Sequence, residues 1–503
     1  MIKQLYKNSP DILVKAINED SIKDKDVDQL YDLLKDYLQD NELTFAIYKF
    51  FDRNPEYLDC QKFSKSTGLS VQVVKEIFNT RPTKVYFPLA NHEYSDIASA
   101  YVFSLKSKTE KFSFSNKSDL IKIKDLLKNK GIKKNFFVIF DKNFTQRSYL
   151  LSVACAFFLS DYVFDSYAFT GEINSEGEIF DVGFIRQKEK ITKEKGLRLI
   201  SPKDADHIDE IIYYLGEEPI DIPFLQLSNK TEEEALISIE KLSEKIKEKS
   251  PFFNLKKLEK FFNINREDIL LITGFLPQIS KEDLKKENEW IKTIKTFEEK
   301  LKNIYSKISR KKRILHIASS VSSLAFGMGI KFGAKKPVVI YHYQADEYFP
   351  VIDLSDDKKI RQIKQVKKEI NLLEAEYLKK SENSRDLAVA IWIASHNLFG
   401  DVLRFCENKS CDVIGIKLKD NQGNLPVSNG RLWVDIVNQI YSVLNQLKNQ
   451  KYERLHFFIS SPVAISFALG MSVGHFINGT VYNKNNQYFP VFEVEDSRMR
   501  SIF

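Results

Sequence analysis

Strand-like runs occur at Lys84 to Leu89, Lys134 to Phe140 and Ala168 to Ile173, and short, almost continuously apolar runs at Ile269 to Phe275, Ile314 to Ser320, Leu387 to Ser395 and Leu455 to Ser461. All predict strands, and the lack of alternation in the last four predicts strands covered on both faces, as in a parallel sheet. Helical spacing fills the stretches between them. It covers Lys23 to Phe50 and then Phe63 to Phe78, where Gly68 can turn one short helix into the next. That spacing suits a helix-turn-helix, but the second helix offers only Gln72 and Lys75 as polar readers, so a small helical packing module is expected. Tyr149 to Leu159 has no polar stripe and should be buried on most sides. Lys230 to Lys249 is rich in Glu and Lys and suits a connecting helix. The pattern predicts a multidomain α/β chain: an α-rich module over 1–85, a second unit over 86–252, and a third over 253–503 made of two halves, about 260–380 and 381–503.

The two halves follow from a diverged internal repeat. Ile314 to Ser320 leads through Ala325 to Met328 to Tyr348–Val351, and Leu455 to Ser461 leads through Ala468 to Met471 to Tyr488–Val491, with matching landmarks 140 to 143 positions apart. Each copy follows a helix that begins near a tryptophan, Trp290 or Trp433, and each is expected to open with a further strand, Ile269 to Phe275 or Leu387 to Ser395. Agreement at this many landmarks points to two homologous α/β lobes.

Composition narrows the function classes. With 503 residues, 43% hydrophobic and 29% charged, the chain can bury real cores and is neither disordered nor a disulfide scaffold. A net charge of +7 spread over this length is weak support for nucleic-acid binding and leaves a small anionic ligand open, so no DNA partner is expected. Cys60, Cys155, Cys406 and Cys411 are sparse, and no second close pair completes a metal site. They suit reduced thiols in the cytoplasm, and Met1 to Asn18 carries no secretory apolar run. Leu455 to Asn483 is long and uncharged enough to raise the question of a membrane span, but its Ser, Pro, Gly, His and Asn residues favour a buried strand-loop-helix-strand unit. No membrane partner is expected.

The carboxyl ends of parallel strands expose loop backbone and helix N-termini, which attract anions. Four such ends can be named: Thr273-Gly274, Ser319-Ser320, Ser395-His396-Asn397 and Ser460-Ser461-Pro462. Small hydroxyl residues there can donate to phosphate oxygens. Singly, Ser319-Ser320 suits a helix cap, and His396 and His456 suit packed neutral rings. Recurrence in both lobes favours one pocket for a ligand with repeated phosphates and bases.

Ser319 to Met328 and Pro462 to Met471, each followed by its Tyr-Phe-Pro-Val strand, resemble the SAVED domain of antiphage systems, whose members are fused pairs of CARF-like Rossmannoid halves that sense cyclic oligonucleotides. The resemblance covers roughly 260–503 and implies a cyclic oligoadenylate activator, with cyclic tetra-adenylate the leading ring size. Gly171 to Gly183, a basic helix, and Gly196 to Pro202 are similar to the carboxyl part of Lon peptidases, which implies a Lon-like α+β peptidase domain with a Ser-Lys dyad. Two departures stand out. Overlay puts Arg186 where the family lysine stands, and an arginine cannot take a serine proton; the upstream Pro-Ser-Ala-Gly is also absent, leaving Ser148 and Ser152 as nucleophile candidates.

A shifted dyad of Ser152 and Lys193 is therefore expected. Ser152 lies deeper in the apolar segment, and Lys193 follows it by 41 positions on the helical face of Arg186. Burial would lower the lysine pKa and make it a base. Lys190 and Ser148 are the reserves. The combination resembles the CRISPR-associated SAVED-Lon proteases, which implies a cytoplasmic, type III CRISPR-linked antiviral Ser-Lys endopeptidase, allosterically activated by cyclic oligoadenylate, that needs no catalytic cofactor or metal. It also implies self-association into oligomers or filaments and a dedicated protein substrate. The alternative is a second-messenger-binding scaffold with an inactive Lon-like domain; a nuclease finds no paired Asp/Glu-x-Lys cluster, and no Walker loop accompanies an ATPase.

Overall fold

The computed structural model describes residues 2–308, 311–420, 422–448, 450–475 and 477–503, so Met1 and Phe476, which fall in stretches considered above, lie outside the described residues. The chain divides into two units, Met1–Glu218 and Pro219–Phe503. Each is taken by itself.

The first unit begins with helices that end at Asn79, several of them started by side-chain caps: Asp40 accepts from the Leu43 N–H, Asp59 from Gln61 and Lys62, and Ser70 from Val73. Gly68, at φ +69°, turns the Cys60–Thr67 helix into Val71–Asn79 as expected. A mixed sheet follows, built from β1 (Thr83–Ala90), β2 (Ser95–Leu105), β3 (Asn135–Phe140), β4 (Tyr167–Phe169) and β7 (Arg198–Ile200) in the order β3-β2-β1-β4-β7. A two-stranded hairpin, β5 (Glu172–Ile173) with β6 (Ile179–Phe180), stands beside it. The boundary expected at 85 does not divide the structure. Phe51, Phe63, Val74 and Ile77 of the helices share one core with Phe103, Leu105 and Phe137 of the sheet, because the amphipathic helices have no other apolar face to cover.

The second unit holds two sheets of matching topology. In the first, β8 (Ile220–Ser228), β9 (Leu270–Thr273), β10 (Arg313–Ala318), β11 (Val338–Gln344) and β12 (Glu347–Leu354) run in the order β12-β11-β10-β8-β9. In the second, β13 (Leu373–Lys379), β14 (Asp386–Trp392), β15 (Cys411–Leu418), β16 (Arg454–Ser460), β17 (Gly479–Asn485) and β18 (Gln487–Glu493) run β13-β15-β14-β16-β17-β18. Within each lobe the strands pair in parallel except at the final hairpin and at β13.

Three expectations are corrected here. The boundary lies at Glu218/Pro219 rather than near 252, because β8 is an interior strand of the first lobe, paired with β10 over Arg313–Ala318 and with β9 over Leu270–Thr273. The Glu232–Lys247 helix, opened by a Thr231/Glu234 capping box, is thus a crossover within that lobe and not a connection between units. The counterpart of β14 is β8, not Ile269 to Phe275, which supplies the edge strand equivalent to β15. The uncharged stretch from Leu455 forms β16, the Val463–Val473 helix and β17, as anticipated, and among the described residues no helix is long and apolar enough to cross a membrane.

The lobes meet along the Ser322–Phe332 and Val463–Val473 helices. A Cβ on Gly329 would lie 2.0 Å from the Phe467 carbonyl oxygen, and one on Gly470 would lie 2.0 Å from that of Phe326. The two contacts are reciprocal at an offset of 141 positions, as a pseudo-two-fold requires.

Candidate functional site

The helix seam aligns the carboxyl ends of β10 and β16. Neither helix start is capped by a side chain: Val321 and Pro462 occupy the cap positions and supply no acceptor. First-turn N–H groups have no partner within their own helix, so two positive helix ends are presented together. Ser322 joins them by donating its hydroxyl to the Ser461 carbonyl at 2.9 Å.

In the first lobe Gln226, near the end of β8, gathers the expected residues. Its Oε1 accepts from the Ser319 hydroxyl at 2.6 Å and the Ser320 N–H at 3.1 Å, while its Nε2 donates to Ser228 at 3.0 Å and to Thr273 at 3.3 Å. The Ser228 and Thr273 hydroxyls lie 2.8 Å apart, and Ser320 Oγ accepts from the Ser228 N–H. Thr273, Ser319 and Ser320 are thus brought together, and Ser319 and Ser320 do not cap the helix. Gly274 is exposed, with open space where a Cβ would sit.

In the second lobe the Ser460 carbonyl accepts from Ile393 at 2.7 Å and Ala394 at 3.0 Å, and its hydroxyl donates to the His396 carbonyl at 2.8 Å. Gln422 pins the same turn, donating to the Trp392 and Ala394 carbonyls. Ser395, His396 and Asn397 are exposed; His396 Nε2 lies 3.5 Å from Asp401, and Asn397 accepts from the Phe399 N–H. Ser461 is buried against Ser466, oxygen to oxygen 2.7 Å, with Pro462 at the cap position before the helix. Gln226 is not among the residues expected from the sequence. Its signal was present: an amide flanked by Leu225 and Leu227 in a strand buried over most of its length needs a partner.

His316 and His456 lie farther back in the strands. His316 sits between Asp221 at 2.6 Å and Tyr341 at 3.0 Å, and His456 between Asp386 at 3.4 Å and Tyr482 at 3.2 Å. Burial holds His456 below the ordinary histidine range, with Asp386 working against it.

In the first unit the expected dyad does not form. Ser152 is fully buried and donates its hydroxyl to the Phe169 carbonyl at 2.8 Å, with that of Tyr86 at 3.3 Å. Lys193, Lys190 and Arg186 are exposed. The Ile185–Glu194 helix instead turns Lys188 and Thr192, one turn apart, inward. Arg186 and Lys193 do share a face, as their spacing requires, and that face meets solvent.

Lys188 is 0% exposed, its ammonium donates to the Thr170 hydroxyl at 3.3 Å, and burial lowers its pKa to about 8. Ser148, also buried, accepts on its carbonyl from the Gly171 N–H at 3.0 Å. Lys188 and Ser148 are therefore both tied to the Thr170–Gly171 pair. The backbone is closely packed there: a Cβ on Gly171 would lie 3.0 Å from the Ile179 side chain and 3.2 Å from that of Leu151. Lys188 is legible only through helical phase: within a run of cations, the one in register with the small, bondable Thr192 faces inward.

Residues 294–494 match the family model SAVED, described as the SMODS-associated and fused to various effectors sensor domain. No curated protein matches the chain. Among solved structures it is similar to the Acinetobacter baumannii Cap4 SAVED/CARF-domain containing receptor with the cyclic trinucleotide 2′3′3′-cAAA, at 14% identity and TM-score 0.32, over 54% of this chain and 51% of that one. The chain thus spans about half of that structure's length. The same receptor with 3′3′3′-cAAA gives 14% and 0.36 over 82% of this chain and 94% of that one, and a further structure of the receptor gives 13% and 0.34 over the same shares.

Proposed function

We propose that the Pro219–Phe503 unit is a receptor for a cyclic oligoadenylate, and that the ligand switches on a Ser-Lys endopeptidase in the first unit that cuts a dedicated protein substrate within a self-associated assembly. The observation that carries the receptor is the pair of uncapped helix starts meeting at the serine-rich ends of β10 and β16, joined by Ser322 and Ser461. Donors repeated by a two-fold suit a ring whose phosphates repeat by a two-fold, which favours the four-membered ring. The SAVED match over 294–494 supports the sensor class.

For the peptidase, Lys188 and Ser148 replace Lys193 and Ser152. The buried Lys188 amine, with its pKa lowered to about 8, supports this choice. Unprotonated, it takes the Ser148 hydroxyl proton as the oxygen attacks the scissile carbonyl, and the ammonium returns that proton to the departing amine. The neutral amine so regenerated takes a proton from the water that attacks the acyl carbon and passes it to the Ser148 oxygen as the acyl group leaves as the acid. Thr170, whose hydroxyl accepts from the Lys188 ammonium, orients the amine.

The test is incubation of the full chain with candidate proteins encoded nearby, with and without cyclic oligoadenylates, read by intact mass. Ser148→Ala and Lys188→Met should each cut ligand-dependent cleavage to below about a thousandth while nucleotide affinity holds, and Lys193→Ala should cleave normally. Full cleavage by Lys188→Met would refute the assigned base. Exposed Ser320→Trp or Ser395→Trp should abolish ligand binding with the fold intact; undiminished binding would move the ligand away from the strand ends.

A further inference from the structure

We infer that the Pro219–Phe503 unit carries a second small-molecule site, separate from the strand ends, for an anion of nucleoside-monophosphate size bearing an amino or hydroxyl donor at its far end. The site is a cleft of about 460 Å³ between the Gly430–Lys448 helix, β12 and the connector after β12. It continues into a hollow of about 530 Å³ that shares Lys367, Arg431 and Asp435. These volumes are in the range of small-molecule pockets.

One end of the cleft suits an anion. The helix starts there at Gly430, and Lys359, Lys367 and Arg431 line the wall. Arg431 is 92% exposed and lies 3.7 Å from Asp435, with Lys367 3.9 Å from the same carboxylate, so both cations are held loosely. The other acid of the cleft, Asp353, already accepts from Ser355 at 2.6 Å and pairs with Lys249 at 3.1 Å.

The other end requires a donor. Asn438 is 2% exposed, lines the cleft, and its Oδ1 has no partner among the described residues. Its neighbours on the same polar stripe are engaged: Ser442 accepts from the Lys367 N–H at 2.8 Å, and Gln439 accepts from the Leu372 N–H at 2.9 Å and donates to Asn371 at 2.6 Å. Buried acceptors are rarely left empty. From Arg431 to Asn438 the helix rises about 10 Å, a span that places phosphate and base amine of one nucleotide at the two ends.

Titration calorimetry on the full chain with cytidine 5′-monophosphate, cytidine and inorganic phosphate decides it. The monophosphate should bind saturably at one site, and each fragment about tenfold or more weaker. Arg431→Glu, a change at an exposed position, should weaken the monophosphate about tenfold and leave cyclic oligoadenylate affinity unchanged; Asn438→Leu should do the same without lowering the thermal midpoint. Failure of the monophosphate to saturate by about 1 mM, equal binding by Arg431→Glu, or a crystal structure with only a water on Asn438 and no uptake of the nucleotide would overturn the site.

Discussion

The two lobes of the second unit share a strand order through five strands, and the second adds β13 at its edge. They also share a glycine seam and an Asp-His-Tyr group. They differ in how tightly the second feature is held. Asp221 is buried and 2.6 Å from His316, whereas Asp386 has 46% of its side chain exposed and lies 3.4 Å from His456. At the strand ends, Gln226 locks the first lobe's hydroxyls into one network, while the second lobe leaves Ser395, His396 and Asn397 exposed. Symmetry is kept where backbones touch, because no other residue fits, and relaxed where side chains face solvent or a ligand.

The largest effect should come from breaking the seam. Gly329→Ala and Gly470→Ala each drive a methyl onto a carbonyl oxygen across the lobes, and each should cost about 3 kcal/mol or more in urea unfolding. Near-equal losses would uphold the two-fold. A mild loss in one and a severe loss in the other would break it.

The repeat was legible because small residues recur along both seam helices, although the seam pairs Gly329 with Gly470, two positions away from the match of Ala325–Met328 with Ala468–Met471. The first lobe's strand β8 was not. Ile220 to Ser228 lies far upstream of the landmarks, and the charged Glu232–Lys247 helix between them has the look of a linker although its inner side, with Ala235, Ile239 and Leu242, is buried. Strand β13 escaped notice because, as an edge strand, it shows charged and polar residues to solvent, Glu374 and Glu376 among them. Of the strand-end residues, the serines and Thr273 could be named from the pattern, but the gathering role of Gln226 depends on strand pairing. In the first unit, the apolar segment around Ser152 signalled burial correctly, and burial is what commits that hydroxyl to the Phe169 carbonyl.

The Asp-His-Tyr groups allow a sharper test. Asp221→Ala strands a buried His316 and should cost about 3 kcal/mol, whereas Asp386→Ala, at a half-exposed position, should cost under about 1 kcal/mol. Matching losses would mean that exposure does not separate the lobes.

A smaller difference should appear with pH. His456 has a folded pKa below its ordinary 6.5, so below that pH the unfolded chain binds a proton that the folded lobe resists. The histidine's contribution to stability is thus present above 6.5 and lost as pH falls toward the folded value, with a slope of at most about 1.4 kcal/mol per pH unit. His456→Gln should flatten the acid limb of the stability profile by up to that slope; an unchanged limb would remove His456 as its source.

The smallest effect concerns a bond that only one lobe makes. Ser322 donates to the Ser461 carbonyl at 2.9 Å, but the position 141 residues on is Val463, which has no hydroxyl to return the bond to the first lobe. Ser322→Val would make the seam symmetric by removal and should cost about 1 kcal/mol, since the Ser461 carbonyl loses a donor. Val463→Ser would make it symmetric by addition. Position 463 is only half-buried, so the new hydroxyl can turn to solvent without penalty, and the change should fall within about 0.5 kcal/mol of neutral. The two substitutions, compared by thermal midpoint, ask whether the bond across the helix starts is structural. If Ser322→Val costs nothing, the hydroxyl is free to rotate toward the anion that the two helix starts are proposed to hold, and its loss should then register in nucleotide affinity instead.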